Sequence, residues 1–149
     1  MSELPLPEQF TGPWEHLLIL TYGMDLPFFE QTLLRELSAR CRNRIILSDG
    51  QHFLDACALY QQNALARYFN QRYVAEGIFA PRAAHAKLIL LTNPTAGRLL
   101  IGSGNLSMHG YASGGELFTS YAYSAADPER REAFSGVRDL LDRSHMASA

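Results

Sequence analysis

Short apolar runs and longer amphipathic stretches alternate along the chain. The apolar runs at residues 17–22 and 44–49 predict two short buried strands, and a weaker strand is predicted within 73–79. Apolar residues at helical spacing predict helices over 27–39 and 51–69. The apolar face predicted for the second helix carries Phe53, Leu54, Cys57, Tyr60, Leu65 and Tyr68.

The second half of the chain is richer in strands. Apolar runs at 88–91 and 98–101 flank a segment that contains Pro94 and Gly97, so they predict a β-hairpin. A further strand is predicted at 117–123 and a closing helix at 128–142. This order of strands and helices predicts an α/β sandwich.

Length and composition indicate one domain. The chain has 149 residues, enough to bury its own core, and residues 1–143 are assigned to that domain. Residues 144–149 resemble a cloning junction and are assigned to a tail. The net charge of −2 means that any nucleic-acid contact requires a local basic patch. Cys41 and Cys57 match no disulfide framework or metal-ligand spacing, which predicts two reduced thiols.

Four polar residues flank the predicted hairpin. The sequence predicts His85 and Lys87 on its first strand, and Ser103 and Asn105 on its second. Residues two apart on a strand project from the same face. Pairing the strands would therefore gather a nucleophile, a cation, a hydroxyl and a carboxamide, which is the chemistry that a phosphodiester-handling site needs.

The pattern H-x-K…G-S-x-N resembles the motif of the phospholipase D superfamily. The resemblance continues through Leu106, Ser107, Gly110 and Glu116, and upstream through the segment 21–30. It covers residues 17–141, nearly the whole chain. It implies a mixed β-sheet flanked by helices, with a single half-site per chain.

The resemblance also implies a mechanism that uses no metal or other cofactor. One histidine attacks phosphorus to form a phosphohistidine, and a second protonates the leaving oxygen and then activates water. His85 would be the nucleophile or the acid/base, while Lys87 and Asn105 would hold phosphate oxygens. Ser103 would add a hydrogen bond, and Glu116 would accept from the ring N–H of His85.

This chain departs from the family pattern at two positions and in copy number. The aspartate of the full motif falls at Thr92, and Gly114 replaces an asparagine two residues before Glu116. The motif occurs once, whereas the family site needs two histidines. We therefore expect a homodimer whose motifs face each other across the axis, or a chain that is half of a longer protein.

Three functions compete at this point. The first is a nuclease acting on DNA or RNA, with helicase, restriction or anti-phage systems as possible partners. The second is a noncatalytic module of the same fold that binds nucleic acid or assembles a larger complex. The third, a phospholipase, is disfavoured because the chain has no basic amphipathic helix or apolar span. The absence of a signal peptide predicts a cytoplasmic protein without membrane contact.

Lys87 is the only lysine, so arginines dominate the positive charge. Bidentate guanidinium groups suit phosphate contacts. The candidate arginines are Arg35, Arg40, Arg42, Arg44, Arg67, Arg72, Arg82 and Arg98. Nearby aromatic residues, namely Tyr68, Phe69 and Tyr73, are candidates either for base stacking or for the core. Asp25, just after the first strand, is a weaker ligand candidate.

Overall fold

A six-stranded mixed sheet forms the centre of the protein. The computed structural model describes residues 6–112, 116–127 and 131–146, with the side chains of 144–146 excepted. The strands are β1 (His16–Thr21), β2 (Asn43–Asp49), β3 (Val74–Ile78), β4 (Leu88–Thr92), β5 (Ala96–Gly102) and β6 (Phe118–Ser124). The helices are α1 (Leu26–Phe28), α2 (Leu34–Glu36), α3 (Gly50–Asn63), α4 (Met108–Tyr111) and α5 (Glu132–Met146).

The order of strands across the sheet is β3-β2-β1-β4-β5-β6. β1, β2 and β3 run parallel, whereas β4 and β6 run antiparallel to their neighbours. Consequently, one edge of the sheet is formed where four strands end (β1, β2, β3 and β5) and two strands begin (β4 and β6). We call this edge the motif edge, because the segments around 85–87 and 103–105 both lie on it.

The hairpin prediction is confirmed. β4 and β5 pair with Leu88 opposite Ile101, and the turn between them lies at 93–95. The side-chain oxygen of Asn93 accepts hydrogen bonds from the backbone N–H groups of Thr95 and Ala96, at 2.9 and 2.8 Å. An asparagine that bonds its own following backbone stabilises such a turn. The predicted mixed sheet with flanking helices is likewise present.

Two apolar layers cover the two faces of the sheet. The larger core lies under a 3₁₀-helix (Leu6–Phe10), the helices of the first half and α4. Its fully buried members include Phe10, Phe29, Leu33, Ile19, Ile46, Ile89 and Leu106. On the opposite face, α5 packs Val137 and its apolar neighbours against Leu20, Leu88 and Leu99. Burial of these alternate positions follows from the two-residue period of each strand.

The helix predicted over 51–69 is shorter than expected. α3 ends at Asn63, and Ala64 adopts a left-handed conformation with φ 49° and ψ 36°. The backbone N–H groups of Arg67 and Tyr68 then donate to the carboxylate of Glu30, at 2.9 and 2.8 Å. These donors are therefore satisfied outside a helix. The predicted apolar face was wrong at three positions, because Leu54, Leu65 and Tyr68 are 50%, 48% and 40% exposed.

The helix predicted over 27–39 is divided into three parts. α1 and α2 flank a π-helical turn at Phe29–Leu33, and the helical backbone ends before Leu37, which is extended. Asp25 caps the beginning, since its side chain accepts from the N–H of Phe28 at 2.9 Å. This contact gives Asp25 a structural role in place of the ligand role considered from the sequence.

Other strands and helices begin or end a few residues away from their predicted positions. Residues 85–87 precede β4, so the prediction that His85 and Lys87 lie within a strand was wrong. The prediction that Ser103 and Asn105 lie within the next strand was also wrong, because β5 ends at Gly102. α5 begins at Glu132 and continues to Met146, so it includes part of the predicted tail. The predicted helix start at 128–130 and the tail residues 147–149 lie outside the described residues. In the described part of the chain, no helix is both long and apolar enough to span a bilayer.

Candidate active site

The motif edge brings the predicted histidine and lysine into direct contact. The Nζ of Lys87 lies 2.9 Å from Nδ1 of His85 and 3.4 Å from Nε2. An ammonium group can donate only to a ring nitrogen that carries a lone pair. Lys87 is therefore the donor in this contact, and Nδ1 of His85 is the acceptor. The carbonyl oxygen of Lys87 accepts from the N–H of Gly102 at 3.2 Å, which joins this segment to the end of β5.

Tyr22 lies between two imidazole rings at the end of β1. Its ring centroid is 4.5 Å from that of His85 and 4.3 Å from that of His52. The Nζ of Lys87 lies 5.8 Å from the same ring, within range of a cation–π interaction. Sequence reasoning assigned His52 no role and gave Tyr22 none of its own. The position of Tyr22 directly after a strand that ends at the motif edge was the available signal.

Asp49 fixes the approach to His85. It ends β2 and caps α3, since its side chain accepts from the N–H groups of Gln51 and His52 at 3.1 and 3.4 Å. Its other oxygen accepts from the N–H of Ala84 at 3.1 Å, one residue before His85. This hydrogen bond is the main reason why the pKa of Asp49 lies below its ordinary value of 3.8. Asp49 was not a candidate from the sequence.

Asn105 is held against the turn after β1. Its Oδ1 accepts from the N–H of Gly23 at 3.3 Å. The neighbouring residue Leu106 is fully buried, and its N–H donates to Oγ1 of Thr21 at 2.9 Å. Thr21 in turn donates to the carbonyl of Gly23 at 2.6 Å. Gly23 thus occupies the oxygen of the Asn105 carboxamide, whereas its Nδ2 makes no hydrogen bond among the described residues.

The glycines of the motif permit close backbone packing around Asn105. A Cβ on Gly110 would overlap the backbone carbonyl of Asn105, and a Cβ on Gly104 would lie 2.5 Å from the carbonyl oxygen of Gly110. Ser107 caps α4 by accepting from the N–H of Gly110 at 3.0 Å. The spacing of Gly104, Asn105 and Gly110 therefore reflects how tightly α4 packs on the loop after β5.

Ser103 and Glu116 form a pair of their own beside Gly102. Ser103 Oγ donates to Glu116 Oε2 and accepts from the N–H of Leu117 at 3.3 Å. Glu116 was predicted to accept from the ring of His85. In the parts of the chain that the structure describes, its carboxylate is hydrogen-bonded to Ser103 instead. The predicted contact of Glu116 with His85 and the catalytic roles of Ser103 and Glu116 stay predictions.

The predicted site is an open surface rather than a cavity. His85 and Ser103 are exposed, and Lys87 and Asn105 are half-buried. Cavities of about 550 and 470 Å³ occur elsewhere and are lined by none of these residues. Among the described residues, no group of three His, Cys, Asp or Glu side chains is placed to share a metal ion. The motif edge therefore presents an imidazole, an ammonium and a carboxamide to solvent.

Comparisons with known proteins agree with this architecture. Yeast tyrosyl-DNA phosphodiesterase superposes with a TM-score of 0.50 at 18% identity, over 72% of this chain and 26% of that chain. A mutant form of that enzyme gives a TM-score of 0.51. NucT from Helicobacter pylori gives a TM-score of 0.54 at 12% identity, over 92% of this chain and 85% of that chain.

These likenesses show that the chain shares the fold of these phosphodiesterase and nuclease structures, which confirms the predicted mixed α/β architecture. The chain spans about a quarter of the yeast protein's length. Neither a protein-family model nor a curated protein sequence matches it.

Proposed function

We propose that this domain cleaves phosphodiester bonds in DNA or RNA without a metal ion, with His85 as the nucleophile. The observation that carries the proposal is the contact between Lys87 Nζ and His85 Nδ1 on an exposed edge that also holds Asn105. A positioned cation and amide beside a nucleophile suit the charge that develops on a phosphoryl group. The name of the yeast structural neighbour, a tyrosyl-DNA phosphodiesterase, supports nucleic acid as the substrate.

In the proposed reaction, a ring nitrogen of His85 attacks phosphorus and the bond to the leaving oxygen breaks. A second histidine gives its proton to that oxygen. The same histidine then removes a proton from water, whose oxygen displaces His85 and releases the phosphomonoester. Lys87 and Asn105 donate to the nonbridging oxygens throughout. Tyr22 and Asp49 act as positioning residues, because one packs on the His85 ring and the other holds the backbone before it.

The second histidine is proposed to come from another copy of the chain. His85 is exposed, so a partner's imidazole has room to approach it. A symmetric pair would place one His85 on each side of the scissile bond. This makes a dimer part of the proposal and predicts that an isolated chain is inactive.

Cleavage of single-stranded DNA, double-stranded DNA and RNA in excess EDTA is the direct test. We expect cleavage by the unmodified chain, and a loss on the order of 10³-fold or more in His85→Ala, since nucleophile and proton transfer are both affected. His16→Gln is the matched control, because His16 lies at the opposite edge of the sheet beside Asn43. An equal loss of cleavage activity in His16→Gln would contradict the assignment of His85 as the nucleophile. Undiminished cleavage by His85→Ala would contradict it as well.

Mixing experiments test the shared site. If each site needs His85 from two chains, only dimers of two unmodified chains cleave. At one unmodified chain to three His85→Ala chains, activity per unmodified chain then falls to about one quarter after exchange. Activity per unmodified chain that stays constant on mixing would contradict the dimeric site. Saturable binding without any cleavage would favour the noncatalytic module considered from the sequence.

A further inference from the structure

The larger cavity lies far from the motif edge. It has a volume of about 550 Å³ and forms where the chain leaves α3 and passes the end of α2. α3 begins at the motif edge with Gly50 and has 14 residues, so its far end lies roughly 21 Å away at 1.5 Å per residue. The cavity is therefore a separate feature from the predicted catalytic residues.

Three arginines line this cavity: Arg35, Arg67 and Arg72. All three are exposed, and in the described residues none of their guanidinium groups forms a salt bridge. Of the residues that the structure describes, Glu30 is the only carboxylate that lines the cavity. It is buried and already accepts from the backbone of Arg67 and Tyr68 and from the hydroxyl of Tyr73. Within the described part of the chain, three guanidinium groups without a salt bridge and one carboxylate leave the cavity lining with a surplus of positive charge, which suits phosphate.

The rest of the lining suits a flat apolar group. Tyr68 is 40% exposed and Leu65 is 48% exposed, whereas Leu34 and Leu37 are buried beneath them. The guanidinium carbon of Arg72 lies 4.9 Å from the centroid of the Tyr68 ring. A stacked aromatic and guanidinium pair is a surface on which nucleobases stack. Exposed apolar side chains next to unpaired cations are therefore arranged as a nucleotide would require.

The segment that carries these side chains is held firmly. Glu30 fixes the backbone of Arg67 and Tyr68, and Tyr73 Oη donates to the same carboxylate at 2.8 Å. Arg44 Nη1 donates to the carbonyl of Arg72 at 3.1 Å. A binding surface that is ordered before its ligand arrives loses less entropy on binding. The buried carboxylate thus explains both why α3 ends early and why the cavity keeps its shape.

We propose that this cavity is a second nucleic-acid site that holds one nucleotide unit, with its phosphate between Arg35 and Arg67 and its base on Tyr68 and Arg72. At roughly 21 Å it would bind the strand about six nucleotides from the cleaved bond, at 3.4 Å per nucleotide in B-form geometry. The choice of a strand as the source of the nucleotide rests on the proposed function. The binding chemistry of the cavity does not, because it needs no cleavage.

Calorimetric titration of the His85→Ala chain tests the site without interference from cleavage. The probes are 5′-phosphorylated trithymidylate, thymidine monophosphate and inorganic phosphate. We expect Arg35→Ala and Arg67→Ala to weaken binding of the trinucleotide on the order of tenfold each. Tyr68→Ala is expected to weaken the trinucleotide about tenfold and to leave inorganic phosphate unchanged, since stacking needs a base. Arg138→Ala, on the exposed face of α5, is the matched control.

The outcomes separate this site from the motif edge. Binding that Lys87→Ala weakens and Arg35→Ala leaves intact would place the trinucleotide at the motif edge and overturn the proposal. Binding by all cavity variants within about twofold of Arg138→Ala would overturn it as well. Equal affinity for the monophosphate and the trinucleotide would keep the site and assign it to a free nucleotide. Because Arg35 makes no described hydrogen bond, its variant stays informative even if a Tyr68 variant folds poorly.

Discussion

Replacing Thr21 by valine tests how the loop around Asn105 is held in place. Thr21 is 1% exposed, and its hydroxyl accepts from the buried N–H of Leu106 at 2.9 Å while donating to the carbonyl of Gly23 at 2.6 Å. Valine has nearly the same shape, so the substitution removes these hydrogen bonds without opening a cavity. The N–H of Leu106 and the carbonyl of Gly23 then each lose their hydrogen bond to the hydroxyl.

The expected cost follows from those two groups. A buried donor that loses its partner costs about 1–3 kcal/mol, and the half-buried carbonyl adds about 1 kcal/mol. We therefore expect Thr21→Val to lower the free energy of unfolding by about 2–4 kcal/mol. At roughly 2–4 °C per kcal/mol for a chain of this size, Tm falls by about 4–16 °C. Activity is expected to fall as well, because Asn105 directly precedes Leu106.

Urea unfolding of Thr21→Val and Thr21→Ser measures this cost. Serine keeps the hydroxyl and loses one methyl group, so we expect a cost of only about 1 kcal/mol. The midpoint of unfolding should fall for valine while the slope against urea stays the same. A valine variant within about 0.5 kcal/mol of the unmodified chain, or a serine variant as unstable as valine, would refute the reasoning.

Two further predictions concern single hydrogen-bonded side chains. The pKa of Asp49 lies below its unfolded value of 3.8, chiefly through the N–H of Ala84, so its stabilising contribution is complete above that pH and is lost as pH falls through the lowered pKa. The difference in unfolding free energy between the unmodified chain and Asp49→Asn should therefore be present at about pH 6 and vanish at about pH 2; a difference that grows on acidification would contradict this. Tyr73→Phe removes a buried donor to Glu30 and should cost about 1–2 kcal/mol in chemical unfolding. Burial raises the pKa of Tyr73, so this cost should be the same at about pH 6 and pH 9; a cost that disappears at the higher pH would contradict the assignment.

Local patterns predicted the parts of the protein that depend on near neighbours. The β4–β5 hairpin was readable because Asn93, Pro94 and Gly97 separate two apolar runs. The contact between Lys87 and His85 was predictable because the two residues are only two apart along the chain. The layered α/β sandwich followed from the order of elements, and the motif pointed to a superfamily whose fold the structure resembles.

Long-range contacts decided what the patterns could not. The predicted helix over 51–69 continues in apolar periodicity past Asn63, yet Glu30 takes the N–H groups of Arg67 and Tyr68 from 37 and 38 residues away. Tyr68 therefore lies on the surface, although the apolar periodicity had predicted it on the buried face of the helix. No local signal shows which carboxylate will compete for a helix's donors.

The candidate site, too, depends partly on local sequence and partly on long-range contacts. The sequence by itself determined which chemical groups lie at the hairpin's ends, since His85, Lys87, Ser103 and Asn105 are adjacent to its strands. Only the tertiary structure placed Tyr22 between the rings of His85 and His52, and only it paired Glu116 with Ser103. The reason is that strand order across the sheet, which depends on how the two apolar layers are buried together, sets the neighbours at the motif edge.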